Sequence, residues 1–356
     1  VKNMITIYYS KDFYLHAPPR GGYHPENPSR LDIVLTALRE NGFEKNIIEV
    51  REAEPKIAVR ELLSKIHDNS YVEYILRLCE QGFEGYLDGD TYVCKNTCRA
   101  ALKAVELTAI ATEHALEKPS ELFFVLPRPP GHHAGASGSA MGAPTLGFCI
   151  FNNIAAGAAY ARLKGFKPIL IIDVDVHHGN GTQEIFWSNP NVIHIDLHEW
   201  GIYPGTGSVD DIGGKGAEGT KVNIPLLPGA GDEDYIYIFL KLVEPLIYAI
   251  KPRLIAVSAG FDAYAGDGLA YMRLTEKFYE FFGKTLYDIS KALGVGVVAV
   301  LEGGYSIGLR NGLPAVLKGF SKPEYTRPSL ESVKPSENVK NVVDKVVRML
   351  RPYVAI

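Results

Sequence analysis

The sequence predicts an α/β protein, a single domain organised around a central, mostly parallel β-sheet flanked by helices on both faces. Three observations lead there. Several short runs are apolar at every position, segments with one apolar stripe lie between them, and each run ends in a polar or glycine-rich stretch. A strand covered on both faces has no solvent side, so it reads as continuous rather than alternating. Parallel neighbours need a long crossover, and the striped segments supply it.

Along the chain, Val1–Ser10 reads as a first strand. Leu122–Leu126, Ile169–Ile172, Val192–Ile195, Leu254–Val257 and Val295–Leu301 read as strands buried on both faces. Before the last of these, Leu274, Phe278, Phe282, Ile289 and Leu293 recur at steps of four and seven, which keeps one helix face toward the sheet. Ser321–Ser336, with Pro323, Pro328 and Pro335, reads as a connection. It leads to a helix striped by Val339, Val342, Val343, Val346 and Leu350, expected to dock on the body. The expected organisation is a main body over residues 1–320, with the connection and docked helix over 321–356.

Composition narrows the function. The 356 residues are 46% hydrophobic and 22% charged, which permits a large core and excludes a disordered chain. With 37 basic against 41 acidic residues and no block of one sign, direct nucleic-acid binding is not expected. The most apolar stretch, Ala143–Ala161, is broken by Pro144, Asn152 and Asn153, so no membrane span is expected. Val1–Ser10 lacks the pattern of a secretion signal, and a cytoplasmic protein is the expectation. The four cysteines make no disulfide framework. Cys94 and Cys98 have a spacing that two metal ligands can use, but no second pair accompanies them, and core or surface thiols are expected.

The ends of the strands carry the chemistry. After Leu126 comes Arg128-Pro-Pro-Gly-His-His133, after Ile172 comes Asp173-Val-Asp-Val-His177, and after Ile195 comes Asp196-Leu-His198. Ser258-Ala-Gly-Phe-Asp262 and Glu302-Gly-Gly-Tyr305 follow the last two strands. Open α/β sheets bind ligands beyond the carboxyl ends of their strands, so these five stretches share one rim.

Carboxylate and imidazole are ordinary zinc ligands, and a catalytic site uses three protein ligands and an open position. Asp175 and His177 supply two and Asp262 a third; the plainer alternative is a histidine-rich turn capped by aspartates. His132 and His133 follow a stiff Pro-Pro-Gly approach and project differently, so one can face a water and the other a substrate oxygen. A structural histidine pair is the alternative. Tyr305 follows two glycines and can donate to an oxyanion, or can simply belong to a turn.

These residues give the chain a resemblance to the zinc-dependent histone deacetylase and acetylpolyamine amidohydrolase superfamily, with its arginase-deacetylase fold. Further motifs carry it: His24-Pro25-Glu26-Asn27-Pro28 with Arg30, Gly147-Phe148-Cys149 before Asn152-Asn153, and Tyr203-Pro-Gly-Thr-Gly207. Asn180 and the Glu-Gly-Gly-Tyr ending are similar to the class II and bacterial or archaeal branch. The resemblance implies Asp175, His177 and Asp262 as ligands of Zn²⁺, or of Fe²⁺, and His133 as general base and then acid. It implies His132 as electrostatic support and Tyr305 as oxyanion donor, with Asp173 and Asn180 orienting the two histidines. Phe148 and Tyr203 become channel walls and Gly147 a carbonyl acceptor for substrate. Arg30 either lies beneath the metal to meet departing acetate or caps its helix. A structural potassium ion is implied at Asp173, with main-chain oxygens near Asp175, His177, Asp196 and Leu197, and a second cation near Phe186 and Val192. One catalytic metal is expected, against the two of arginases, because His132 and His133 fill the positions a second would need.

At the rim, Leu269 stands where polyamine-selective relatives carry a glutamate. This favours acyl-lysine over a small acetylated amine, although Glu26, Asp88 and Asp90 remain as possible sources of acidity. A non-catalytic acyl-lysine binder is the competing class.

Overall fold

The computed structural model describes residues 4–20 and 22–355, so Val1–Asn3 of the expected first strand lie outside the described residues. In chain order the strands are β1 (Ile5–Tyr9), β2 (Ile47–Glu49), the hairpin β3–β4 (Gly85–Tyr86, Tyr92–Val93), β5 (Leu122–Val125), the hairpin β6–β7 (Ala134–Gly135, Gly138–Ser139), β8 (Ile169–Asp173), β9 (Val192–Glu199), β10 (Lys221–Leu226), β11 (Leu254–Ala259) and β12 (Val297–Leu301). Eight of them form one sheet in the order β10-β9-β8-β11-β12-β5-β1-β2, every neighbouring pair parallel. The central strands are buried along their whole length, as their unbroken apolar runs require.

The helices are α1 (Ser29–Glu40), α2 (Val59–Ile66), α3 (Asn69–Glu80), α4 (Thr97–Glu117), α5 (Asn153–Leu163), α6 (Asn180–Ile185), α7 (Asp232–Ile238), α8 (Glu244–Ile250), α9 (Glu276–Leu293), α10 (Leu313–Ser321) and α11 (Glu337–Leu350). α4 and α5 lie against the sheet, α5 through its run of small residues. α9 and α10 pack together, and their Phe282, Leu286 and Val316 meet Leu122, Phe124 and Val257 of the sheet in one seam. α9 starts where the Thr275 side chain accepts the Lys277 N–H and stops at Gly294, whose φ of 64° suits a left-handed cap. α11 buries Val339, Val343, Val346 and Leu350 against β10 and α7.

Three expectations are corrected. β2 and β10 extend the sheet at its two edges, and β9 runs on to Glu199, which places Asp196 and His198 within a strand. Cys79 and Cys98 are joined as a disulfide between α3 and α4, so only Cys94 and Cys149 are thiols, both buried. Glu26 is not a rim acid: it is fully buried, and both its oxygens accept from the Arg128 guanidinium.

Candidate active site

Sheet pairing brings the metal-capable residues together. β8 and β11 are neighbours with Asp173 opposite Ser258, so the stretch Asp175–His177 emerges beside Asp262, far away in sequence. Nδ1 of His177 lies 3.3 Å from Asp175 Oδ1 and 3.1 Å from Asp262 Oδ2. Backbone N–H groups fix the carboxylates: Val176 donates to Asp262, and Gly303 donates to Asp175 Oδ2 at 2.7 Å. Position 303 must be glycine, because a Cβ there would stand 2.2 Å from Asp262 Oδ2. One imidazole and two carboxylates fit a divalent metal, and their spacing is close to what bonds of about 2.1 Å to one tetrahedral ion impose. Without a metal, Asp175 and Asp262 outweigh burial and hold His177 at about 10, so an ion bound there at neutral pH would displace a proton.

The adjacent histidines at the end of β5 have different partners. His132 Nδ1 is 2.8 Å from Asp173 Oδ2, whereas His133 Nδ1 is 2.7 Å from Asn180 Oδ1. The Asn180 amide nitrogen donates to the Ala140 carbonyl, which turns its oxygen toward His133. That oxygen only accepts, so His133 carries its proton on Nδ1 and turns a bare Nε2 to the pocket. Burial pushes the His133 pKa well down, helped by charge on His132 and His177. For His132, the carboxylates of Asp173, Asp175 and Glu302 outweigh burial and push the pKa well up. Burial pushes Asp173 up and the charge on His132 pulls it back down, so the pair holds one proton, which rests on the His132 ring.

The turn after β12 supplies Tyr305. Burial pushes its phenol well up, keeping it a donor, and the Arg30 guanidinium lies 4.9 Å from its ring centre. Arg30 is buried and bonds the carbonyls of Glu302 and Gly304, with Nη1 on Glu26. It therefore braces the tyrosine turn. Sequence reading assigned no role to Glu302 or Asp267, yet both hold the site. Glu302 Oε2 accepts the N–H groups of Gly131 and His132, tying the histidine loop to the tyrosine turn. Asp267 accepts the N–H groups of Tyr305, Ser306 and Gly308. A buried acid among backbone N–H groups leaves no periodic signal in a sequence.

These groups surround a pocket of about 220 Å³. His132, His133, Gly147, Phe148, Tyr203, Leu269 and Tyr305 line it with Asp175 and His177, while Asp173, Asn180, Asp262 and Arg30 stand behind the lining. The Phe148 ring meets Tyr305 edge-on, and Tyr203 meets His133 edge-on. Phe148 holds φ at 71°, a conformation costing about 1–3 kcal/mol of the kind that collects at binding sites.

Behind the pocket, the fully buried carboxylates of Asp173 and Asp196 lie beside His194, whose Nε2 is 3.5 Å from Asp196 and whose ring nitrogens have no hydrogen-bond partner among the described residues. Two buried carboxylates so placed suit a positive charge, and Leu197 is the next residue of β9. Around Phe186 and Val192 the residues do not fit a second free cation. The Val192 carbonyl accepts from the Lys221 ammonium at 2.9 Å.

A model of the histone deacetylase domain matches residues 24–319. The chain is 47% identical over its full length to an uncharacterized protein of Methanocaldococcus jannaschii, covering 99% of it. It is 37% identical to a probable deacetylase of Archaeoglobus fulgidus, over 86% of each chain. The crystal structure of the HD domain of HDA15 superposes with a TM-score of 0.85 at 33% identity, over 99% of this chain and 96% of that one.

Proposed function

Because this chain belongs to the histone deacetylase family, we propose that it is a metal-dependent hydrolase that removes acetyl groups from lysine side chains. One observation carries the reading. A neutral histidine, a protonated tyrosine and, from the Asp-His-Asp donor cluster, Asp175 and His177 with Asp262 just behind them face the same narrow pocket, the set that amide hydrolysis needs. A module that only bound acyl-lysine would have no use for all three.

When bound, a zinc or ferrous ion supplies a Lewis acid for the acyl carbonyl and acidifies the attacking water. His133 takes the proton of that water on Nε2 and returns it to the departing amine. His132, held charged by Asp173, stabilises the negative charge that develops nearby. The Tyr305 hydroxyl donates to the same oxyanion. Phe148 and Tyr203 confine the aliphatic stem of the substrate, the Gly147 carbonyl accepts from its amide, and Arg30 keeps the tyrosine turn in register.

Kinetics on enzyme of defined metal content test this, comparing an acetyl-lysine peptide with an acetylated polyamine. The peptide is expected to have the larger kcat/KM, and Asp262→Ala to bind less metal and lose turnover. A large polyamine preference would refute the substrate assignment. Metal-loaded protein inert toward every acyl-amide would favour a binding module.

A further inference from the structure

Lys221 opens β10 and is fully buried, yet no carboxylate pairs with it among the described residues. Its ammonium meets neutral oxygens instead. Nζ lies 2.6 Å from Thr220 Oγ1, 2.9 Å from the Val192 carbonyl, 3.4 Å from the Asn189 carbonyl and 3.5 Å from the Thr220 carbonyl. The Thr220 hydroxyl donates its own proton to the Ala217 carbonyl, which leaves its lone pairs for Nζ. Every group facing the nitrogen is thus an acceptor. A protonated amine satisfies such a ring, whereas a neutral amine would turn a lone pair toward oxygen.

A buried ring of main-chain carbonyls and a hydroxyl, without a carboxylate, is how proteins replace the hydration shell of a monovalent cation. We propose that Lys221 is a tethered substitute for such an ion: its ammonium fills an oxygen cage that takes up potassium from solution once the side chain is shortened. Burial alone pushes the lysine pKa down to about 7, and the four oxygens act in the opposite sense by favouring the charged form. The cage joins the Asn189–Val192 turn at the start of β9 to the start of β10. This corner of the sheet is therefore held without any ion from the medium.

Thermal unfolding in choline chloride and in potassium chloride of equal ionic strength tests the proposal, with the wild type giving the baseline response of any other cation site. Lys221→Ala should lower Tm in choline by roughly 5–10 °C, the scale for leaving several buried acceptors unpaired. Potassium should then restore Tm as its concentration rises, beyond the wild-type response. A potassium response no larger than that of the wild type would overturn the proposal. Lys221→Met, a neutral chain of similar length, decides the question where Lys221→Ala does not fold. Wild-type stability of Lys221→Met in choline overturns the proposal, and a loss that potassium does not repair supports it.

Discussion

His132 and His133 sit side by side at the end of one strand, and a single atom on each partner separates their chemistry. Asp173 presents a charged oxygen to His132, and Asn180 presents a neutral one to His133. Asn180→Asp gives both rings a carboxylate. The new charge favours the protonated His133, so its pKa rises, and a base that must be neutral is then lost at higher pH. The acid limb of the kcat/KM profile should move up by about 1–2 pH units; an unmoved limb would remove His133 as the base. Tyr305→Phe removes only a hydroxyl, while Arg30 and Asp267 hold the turn by its backbone. It should keep fold and metal and lower kcat by about 10²–10³, as losing an oxyanion donor does. Unchanged kcat would remove Tyr305 from the mechanism.

The disulfide matters through the segment it closes. Cys79 lies in the last turn of α3 and Cys98 in the first turn of α4, 19 positions apart, and the segment between them carries Asp90 to the pocket and bonds the Leu146 and Phe148 N–H groups through Asp88 and Thr91. A closed loop of this size is worth about 3 kcal/mol on the chain-entropy scale. Cys98→Ser should show that deficit in urea unfolding, and excess reductant should bring the wild type down to it. Equal stability without reductant would mean that the bond contributes nothing. The pairing was illegible in the sequence because it depends on how α3 packs on α4, and spacing alone drew attention to Cys94 with Cys98. Strands β5, β8, β11 and β12 were legible because burial on both faces leaves an apolar run, and β9 was legible in spite of His194 within it. β2 and β10 were not, since the three residues of β2 are half exposed or exposed, and the run Lys221-Val-Asn-Ile-Pro-Leu226 breaks its own apolar pattern. The metal-capable residues were legible for a related reason: each follows a readable strand. Glu302 and Asp267 do so too, but their task is to accept backbone N–H groups, which the identity of neighbouring residues does not announce.

Substrate choice belongs to the whole molecule, because the pocket mouth gathers loops from distant parts of the chain. Two acidic groups stand there, Asp90 in the lining and Asp88 beside it, and both are engaged. Asp90 accepts from Thr91 and Thr145, and burial raises its carboxyl pKa. Asp88 accepts the N–H groups of Asp90, Thr91 and Leu146. Leu269, which lines the pocket, is 40% exposed, and exposed aromatic residues follow nearby in the chain: Tyr271 two positions on, and Tyr23 next to His24, whose ring packs on Phe148. A distal ammonium leaving the pocket would therefore find Asp88 and Asp90 already bonded, whereas a peptide backbone with apolar neighbours would find area to cover. Leu269→Glu places a charge at the lip without touching the catalytic groups. An exposed ion pair contributes about 0.2–1 kcal/mol, so kcat/KM for an acetylated polyamine should rise about 1.4–5-fold and fall as salt is added. The acetyl-lysine peptide should change little. A variant whose polyamine kinetics stay flat would show that the lip does not read the far end of the substrate, and preference would then have to arise deeper, between Phe148 and Tyr203.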